Sequence, residues 1–327
     1  MMTSKTPPFQ APGPIRLGVS SCLLGQEVRY NGGHVRDDLL LSTLGHYVQW
    51  VPVCPEVEVG MGIPRENIRL VGESENPRLV APKSGTDYTE VMNKWSSGRL
   101  EELKDAGLHG YILKKDSPSC GLFRTRVYKG DGPASRNGRG LFAGQLVNRF
   151  PMLPVEEEGR LRDPKLRENF IGKVFAYQRF GGLISSNPKP SDLVEFHASH
   201  KLSIMAHDHR AQKQLGQLVS ESGRAAMRDL IPQYGRLFME TLSKISTSLK
   251  HANVLQHIMG YLKNYLDSHD KREMIEVIDQ YRLELIPLVV PITLLRHHLN
   301  RHPVPEWVKQ QTYLNPYPQE LMLRNHV

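Results

Sequence analysis

Residues 107–121 read GLHGYILKKDSPSCG, an apolar run that ends in two lysines and a turn containing Cys120. The apolar run is typical of a short buried strand, and the Ser-Pro-Ser-Cys-Gly segment is typical of a turn. Two other segments repeat this arrangement, because Cys22 follows the β-prone run RLGVSS and Cys54 ends the run WVPV. All three cysteines of the chain therefore lie just past the end of a predicted strand.

Helical segments separate the predicted strands. Residues 35–46 have leucines at helical spacing, residues 87–107 predict a helix interrupted near Ser96 to Gly98, and residues 138–150 predict a third helix. Strands that alternate with helices indicate crossover units and a mostly parallel sheet. We therefore expect a Rossmann-like α/β domain over residues 15–160.

The pattern changes after this region. Long helical periodicity replaces the strand signals, so we expect an all-helical domain over residues 161–327. Pro287 and Pro291 must break or kink its later helices, and residues 304–327 look like an extended tail on the surface. At the other end, residues 1–14 are rich in proline and predict a disordered lead without the apolar segment of a secretory signal.

Composition suits a cytoplasmic protein. An odd number of widely spaced cysteines argues against a disulfide framework and for a reducing compartment. No apolar run reaches the roughly 18 residues that would span a bilayer. The chain carries a formal charge of +8, and from residue 114 to residue 149 eight lysines and arginines stand against two aspartates. This segment indicates either a polyanionic partner such as nucleic acid or a solvated basic loop.

The three cysteines predict a thiolate site. The carboxyl ends of parallel strands share one edge of a sheet, where ligands bind in open α/β folds. Zinc is one occupant, with His34 as a possible fourth ligand. An iron–sulfur cluster is the other, because soft thiolates hold such clusters, normally with one cysteine for each iron of a four-iron cluster. Three cysteines would leave one iron open to bind a substrate atom as a Lewis acid.

Two residues beside the cysteines suit catalysis. Glu56, two residues after Cys54, could act as a general base toward water, with Glu58 as a competitor. Ser117, three residues before Cys120, could move a proton or position water. It could equally be an ordinary turn residue beside a proline.

Three blocks around these residues resemble the signature blocks of the thiouracil desulfidase family: residues 18–34 (GVSSCLLGQEVRYNGGH), 51–70 (VPVCPEVEVGMGIPRENIRL) and 111–121 (YILKKDSPSCG). The helical half resembles an uncharacterised domain often fused to that family. The fusion is similar to the desulfidases that convert 4-thiouridine in tRNA to uridine.

The resemblance implies a cofactor, a mechanism and a partner. The cofactor is a [4Fe-4S] cluster with one open iron, held by Cys22, Cys54 and Cys120, while Glu56 and Ser117 take the catalytic positions. Sulfur would leave as hydrosulfide without net redox change. The partner is tRNA containing 4-thiouridine, gripped in part by the helical domain. On this interpretation the RNA-binding residues of the basic segment are Lys114, Lys115, Arg124, Arg126, Lys129, Arg136 and Arg139.

Three alternatives stay open at this point. The enzyme could act on free thiouracil or thiouridine, although a small substrate needs no second domain. A zinc–thiolate hydrolase or deaminase could use the same cysteines. A non-enzymatic iron–sulfur sensor that binds RNA would need the cysteines and the basic segment but not Glu56 or Ser117. No obligate protein partner is evident.

Overall fold

The computed structural model describes residues 13–129 and 132–327, and the predicted disordered lead lies outside them except for residues 13 and 14. The described chain forms two compact units. One unit spans residues 14–162, and the other comprises residue 13 and residues 163–327. The sequence predicts the domain boundary slightly earlier, between residues 160 and 161.

The first unit alternates strands and helices, as predicted. Its elements in chain order are β1 (Ile15–Ser20), α1 (Asp38–Leu44), β2 (Val48–Val53), α2 (Pro55–Glu58), β3 (Arg69–Val71), β4 (Arg78–Val80), α3 (Thr89–Asp105), β5 (Gly110–Leu113), β6 (Thr125–Tyr128), β7 (Ser135–Gly138), α4 (Leu141–Arg149) and β8 (Val155–Glu157). The helix predicted to break near Ser96 to Gly98 is continuous in α3. Gly98 is exposed and has open space around it, so no neighbouring group interrupts the helix at this glycine.

The central sheet is fully parallel, with strand order β2-β1-β5-β8. Its interior strands read as apolar runs because both faces of a parallel sheet are covered. Leu17, Val19 and Ile112 are completely buried. Gly18 lies opposite Tyr111 on β5, and a Cβ atom at Gly18 would be 2.1 Å from the tyrosine ring. The absence of a side chain on β1 therefore makes room for that ring.

A second, mixed sheet has the order β4-β3-β6-β7 and was not predicted from the sequence. Its strands β6 and β7 pair antiparallel within the segment that we interpreted as a basic loop. Leu70, Leu79, Met92 and Val127 form the buried core under this sheet. The strands are only three or four residues long, and β7 reads SRNG, so the alternation that reveals longer strands is missing.

The second unit is helical in its described residues, which confirms the all-helical prediction. Its helices are α5 (Pro164–Ser185), α6 (Pro190–His207), α7 (His209–Ser220), α8 (Met227–Leu242), α9 (Ser248–Leu262), α10 (Ser268–Arg282), α11 (Val289–Arg301) and α12 (Glu306–Lys309). The Asp163 side chain caps α5 by accepting a hydrogen bond from the Leu166 amide. The described helices include none that is long and apolar enough to span a lipid bilayer.

The chain between α10 and α11 breaks where the prolines predicted it, with Pro287 in the connection and Pro291 in the first turn of α11. The prediction for residues 304–327 is wrong. That segment contains α12 and two 3₁₀ turns, and Tyr313, Leu314 and Leu323 are buried in the helical unit. Its apolar residues have no regular spacing, so their burial depends on tertiary packing.

We expect Gly18→Ala to lower the free energy of unfolding of the first unit by about 1–3 kcal/mol, because the new methyl group overlaps the Tyr111 ring. The matched control is Gly98→Ala in α3, where a Cβ atom meets nothing within 4 Å. That control should raise stability by up to about 1 kcal/mol through helix propensity. Urea titration of both variants measures the difference, and equal effects would contradict the packing assigned to Gly18.

Candidate active site: a three-cysteine cavity

A cavity of about 550 Å³ opens at the carboxyl ends of β1, β2 and β5, and Cys22, Cys54 and Cys120 all line it. Cys22 lies in a 3₁₀ turn directly after β1, Cys54 immediately follows β2, and Cys120 lies in the turn after β5. The structure thus brings the three predicted ligands into one cavity from three separate parts of the chain.

Local hydrogen bonds hold each cysteine in place. Gly25 closes the turn after Cys22 in a left-handed conformation, with its amide 3.3 Å from the Cys22 carbonyl oxygen. The Cys54 amide donates to Glu58 Oε1 at 3.0 Å. Ser117 Oγ accepts hydrogen bonds from the amides of Ser119 and Cys120, at 3.2 and 3.0 Å. The turn chemistry read from the sequence is therefore present at Ser117.

Burial raises the pKa of all three thiols. The pKa of Cys22 rises to about 11, chiefly because burial disfavours the thiolate, and the neighbouring Cys54 adds to the effect. Burial also raises the pKa of Cys54. It raises the pKa of Cys120 well above the usual range, although a hydrogen bond from Ser20 opposes it. The trio is therefore protonated at neutral pH unless positive charge, such as a bound metal, compensates the thiolates.

The spacing of the thiols separates the two candidate occupants. A single zinc ion would hold thiolates about 3.8 Å apart, because Zn–S bonds are about 2.3 Å long and tetrahedral. Across residues 13–129 and 132–327, the only trio of potential ligands whose atoms all lie within 4.8 Å of one another is His269, Asp270 and Glu273 in the helical unit. The three thiols do not form such a trio, so at least one pair of their sulfur atoms lies more than 4.8 Å apart. A four-iron cluster binds each cysteine on a different iron, and this donor set fits it.

His34, the candidate fourth ligand for zinc, is not among the described residues that line the cavity. Its Nδ1 instead accepts a hydrogen bond from the Arg36 amide at 3.2 Å.

Glu56 lies in the cavity wall in a fixed orientation. Its Oε2 accepts from Arg65 Nε at 3.0 Å and Nη2 at 2.5 Å, and its Oε1 accepts from Ser119 Oγ at 3.1 Å. The Arg65 side chain is only 5% exposed, so this ion pair is shielded from solvent. Glu58 is occupied elsewhere, by the Cys54 amide and by Arg99 at 3.2 Å, and does not line the cavity. Of the two carboxylates weighed from the sequence, Glu56 is therefore the one placed beside the thiols.

Ser117 also lines the cavity. Its oxygen already accepts two amide hydrogen bonds, so the hydroxyl proton remains free to donate. The side chain can thus serve both the turn and a group bound in the cavity.

The predicted RNA-binding residues fall into two groups. Lys114 and Lys115 line the cavity, and Lys114 Nζ pairs with Glu158 at 2.6 Å. The other five are on or beside the second sheet and are not among the described cavity-lining residues: Arg124, Arg126, Lys129, Arg136 and Arg139. Two of these are held in surface ion pairs, Lys129 with Glu73 and Arg136 with Asp116. Of the seven predicted RNA-binding residues, the structure therefore places Lys114 and Lys115 in the cavity wall and the other five at the second sheet.

Other cations and aromatic side chains complete the cavity, and sequence reasoning missed them. The Arg69 guanidinium lies 5.0 Å from the centre of the Tyr128 ring, and that of Arg29 lies 5.5 Å from the Tyr30 ring. Arg69 Nε is buried and has no hydrogen-bond partner in the described chain. No carboxylate forms an ion pair with either arginine within the described ranges. The cavity thus combines three thiols with cationic and aromatic walls.

Comparison with known proteins matches two family models to the chain. Residues 17–158 match the model described as 2-thiouracil desulfurase, and residues 201–318 match a protein of unknown function, DUF1722. The uncharacterised protein YbbK of Bacillus subtilis strain 168 is 34% identical over 108 residues, which cover 32% of this chain and 71% of YbbK. The uncharacterised protein YbgA of Escherichia coli K12 is 27% identical over 154 residues, which cover 47% of this chain and 90% of YbgA.

A solved structure, of the [4Fe-4S]-dependent thiouracil desulfidase TudS, matches with 30% identity and a TM-score of 0.38, covering 46% of this chain and 94% of TudS. The family models and the YbbK match confirm the resemblance seen in the three sequence blocks. The chain belongs to the 2-thiouracil desulfurase family through its α/β unit and carries a DUF1722 domain in its helical unit.

Proposed function

We propose that this protein is an iron–sulfur-dependent desulfidase that converts 4-thiouridine in tRNA to uridine and releases hydrosulfide. The observation that carries the proposal is the convergence of Cys22, Cys54, Cys120 and Glu56 on one cavity at the end of a parallel sheet. Family membership supports desulfuration as the reaction, and the thiol spacing supports a cluster over a single metal ion.

Cys22, Cys54 and Cys120 would hold a [4Fe-4S] cluster. When bound through only three cysteines, such a cluster supplies a Lewis-acidic iron with affinity for the soft sulfur of a thiocarbonyl group. The cysteines themselves take no part in proton transfer, because their role is to hold the metal as thiolates.

Glu56 and Ser117 would carry the proton transfers. Glu56, oriented by Arg65 and Ser119, takes a proton from water, whose oxygen forms the new bond to C4 of the pyrimidine. The Ser117 hydroxyl donates toward the sulfur as the carbon–sulfur bond breaks. Water supplies the oxygen of the product, sulfur leaves as hydrosulfide with the remaining proton released, and no electrons are gained or lost.

The cations and aromatic rings that line the cavity favour a phosphorylated substrate. The side chains of Arg29, Arg69 and Lys115 line it, and none of them pairs with a carboxylate in the described chain. Such cations suit phosphates, and Tyr30 and Tyr128 offer ring faces for an extruded base. Free thiouracil is the second candidate, which the family description favours, and it would leave these cations without a partner.

Replacing any one of the three cysteines with serine should abolish the cluster. We expect anaerobically purified or reconstituted wild type to contain about four irons per chain, and each variant far fewer, because three ligands are the minimum set here. Iron and sulfide analysis with absorption spectroscopy measures this. One zinc per wild-type chain, or full iron content in a variant, would contradict the cluster assignment.

Glu56→Gln should retain iron and tRNA binding but lose about 10²–10⁴-fold in kcat, the usual contribution of a general base. Glu58→Gln is the matched control, since glutamine keeps an acceptor for the Cys54 amide and the residue does not line the cavity. Sulfide release from 4-thiouridine-containing tRNA, measured under anaerobic conditions, separates the two variants. If the cluster-loaded wild type binds this RNA without releasing sulfide, the protein is a sensor and not an enzyme.

Arg69→Met should distinguish the two substrates. We expect about a tenfold or greater loss of kcat/KM for thiolated tRNA or 4-thiouridine 5′-monophosphate, because one charge-assisted contact with phosphate disappears. Turnover of free 4-thiouracil should stay the same. Lys94→Met, which changes an exposed lysine of α3 outside the cavity lining and outside the predicted RNA-binding set, is the control. An equal loss on all three substrates would argue against a phosphate contact at Arg69.

A further inference from the structure

The helical unit contains a second cavity, of about 40 Å³, bounded by α5, α6 and the C-terminal segment. A cavity needs about 10–15 Å³ to hold one water, so this cavity has room for roughly three water-sized groups. Its lining is rich in cationic groups and poor in anionic ones. The ionisable and imidazole residues in it are Glu168, Lys173, Arg179, His200, His207, His251, Tyr313 and Arg324.

Arg179 is the unusual member of this lining. The residue is only 4% exposed. Its Nε donates to His200 Nε2 at 3.1 Å and its Nη1 donates to the Pro316 carbonyl at 2.9 Å, while Nη2 has no partner in the described chain. No carboxylate pairs with this guanidinium in the same ranges, and burial lowers its pKa to about 10. Arginines are rarely buried without a compensating charge, because desolvation costs several kcal/mol.

The neighbouring groups do not neutralise Arg179. His200 accepts the Arg179 hydrogen bond on Nε2, so its proton is on Nδ1, which lies 2.8 Å from the Phe196 carbonyl oxygen, and the ring is uncharged. Glu168 is the only carboxylate of the lining. Its Oε1 accepts from Arg324 Nε at 3.2 Å and from Tyr317 Oη at 2.8 Å. The single negative charge is therefore engaged by another arginine.

Two other arginines with largely buried side chains differ from Arg179 because each pairs with a carboxylate. Arg65 pairs with Glu56 and Arg324 pairs with Glu168, each within 3.2 Å. Arg179 differs from these two arginines because no carboxylate of the described chain pairs with it, although it is buried more completely than Arg324 and lines the same cavity. An oxyanion in this cavity would supply the missing charge and accept the free Nη2 donor.

We propose that the helical unit binds a phosphate-class oxyanion in this cavity, with Arg179 as the principal ligand and Lys173 as a second cation. A tetrahedral oxyanion suits the volume and the fork of the guanidinium. The limited volume favours free phosphate or a terminal phosphate of RNA over an internal phosphodiester. This site is separate from the desulfidase chemistry and does not depend on it.

The test uses the full-length chain at constant ionic strength. Inorganic phosphate, titrated by calorimetry and followed by thermal unfolding, should bind the wild type and raise its Tm. Arg179→Met should weaken phosphate binding by about tenfold or more and remove the Tm increment. Lys213→Met, which removes an exposed lysine of α7, is the matched control and should keep both effects.

Two further variants make the result decisive. Arg69→Met removes the phosphate contact proposed in the cysteine cavity. A phosphate-dependent rise in Tm that persists in Arg69→Met and disappears in Arg179→Met therefore belongs to the helical unit. If Arg179→Met fails to fold, Lys173→Met should show a weaker phosphate increment. A purely structural Arg179 would lower Tm equally with and without phosphate. Unchanged phosphate binding in both Arg179→Met and Lys173→Met would overturn the proposal.

Competition with short RNA oligonucleotides distinguishes a terminal phosphate of RNA from free phosphate as the ligand. A short 5′-phosphorylated oligonucleotide that competes with inorganic phosphate, while its unphosphorylated twin does not, assigns the site to an RNA terminus. Absence of competition by either, with phosphate binding retained, assigns it to the free ion.

Discussion

The parallel pairing of β1 with β2 on one side and β5 on the other is the constraint on which the site depends. Parallel strands run in the same direction, so residues that follow their carboxyl ends meet at one edge. Cys22, Cys54 and Cys120 are 32 and 66 residues apart along the chain, yet they line one cavity for this reason. Gly18 belongs to the same constraint, because its lack of a side chain leaves room for the ring of Tyr111, its register partner on β5.

The carboxylate beside the thiols depends on a second, electrostatic constraint. Burying a carboxylate in a shielded wall without a counterion is costly. Arg65 supplies it and is itself fixed by the carbonyl oxygens of Val28 and Gly62. The loops after β1 and β2 are thereby tied together around Glu56. The orientation of the carboxylate and the shape of the cavity are consequences of the same hydrogen bonds.

Sequence patterns predicted the parallel sheet and the placement of the three cysteines at one of its edges. Both leave short-range signals, namely apolar runs and the residues that follow them. They did not predict the second sheet, whose strands are too short for alternation to show, nor the burial of Tyr313 and Leu323 near the C terminus. Arg65 and Arg69 were missed for a related reason. Many arginines look alike in a sequence, and only the folded chain shows which one faces a glutamate and which one lies over a tyrosine ring.

The burial that raises the thiol pKa values also determines how the metal-free thiols react. Alkylating agents and oxidants react with the thiolate form of cysteine, which is scarce here at neutral pH. The three side chains therefore react slowly with such reagents as long as no metal is bound. If they hold the proposed cluster, its assembly would expel their protons, so loading would become more favourable as the medium becomes more alkaline. The same buried environment would thus protect the free thiols and couple cluster assembly to proton release.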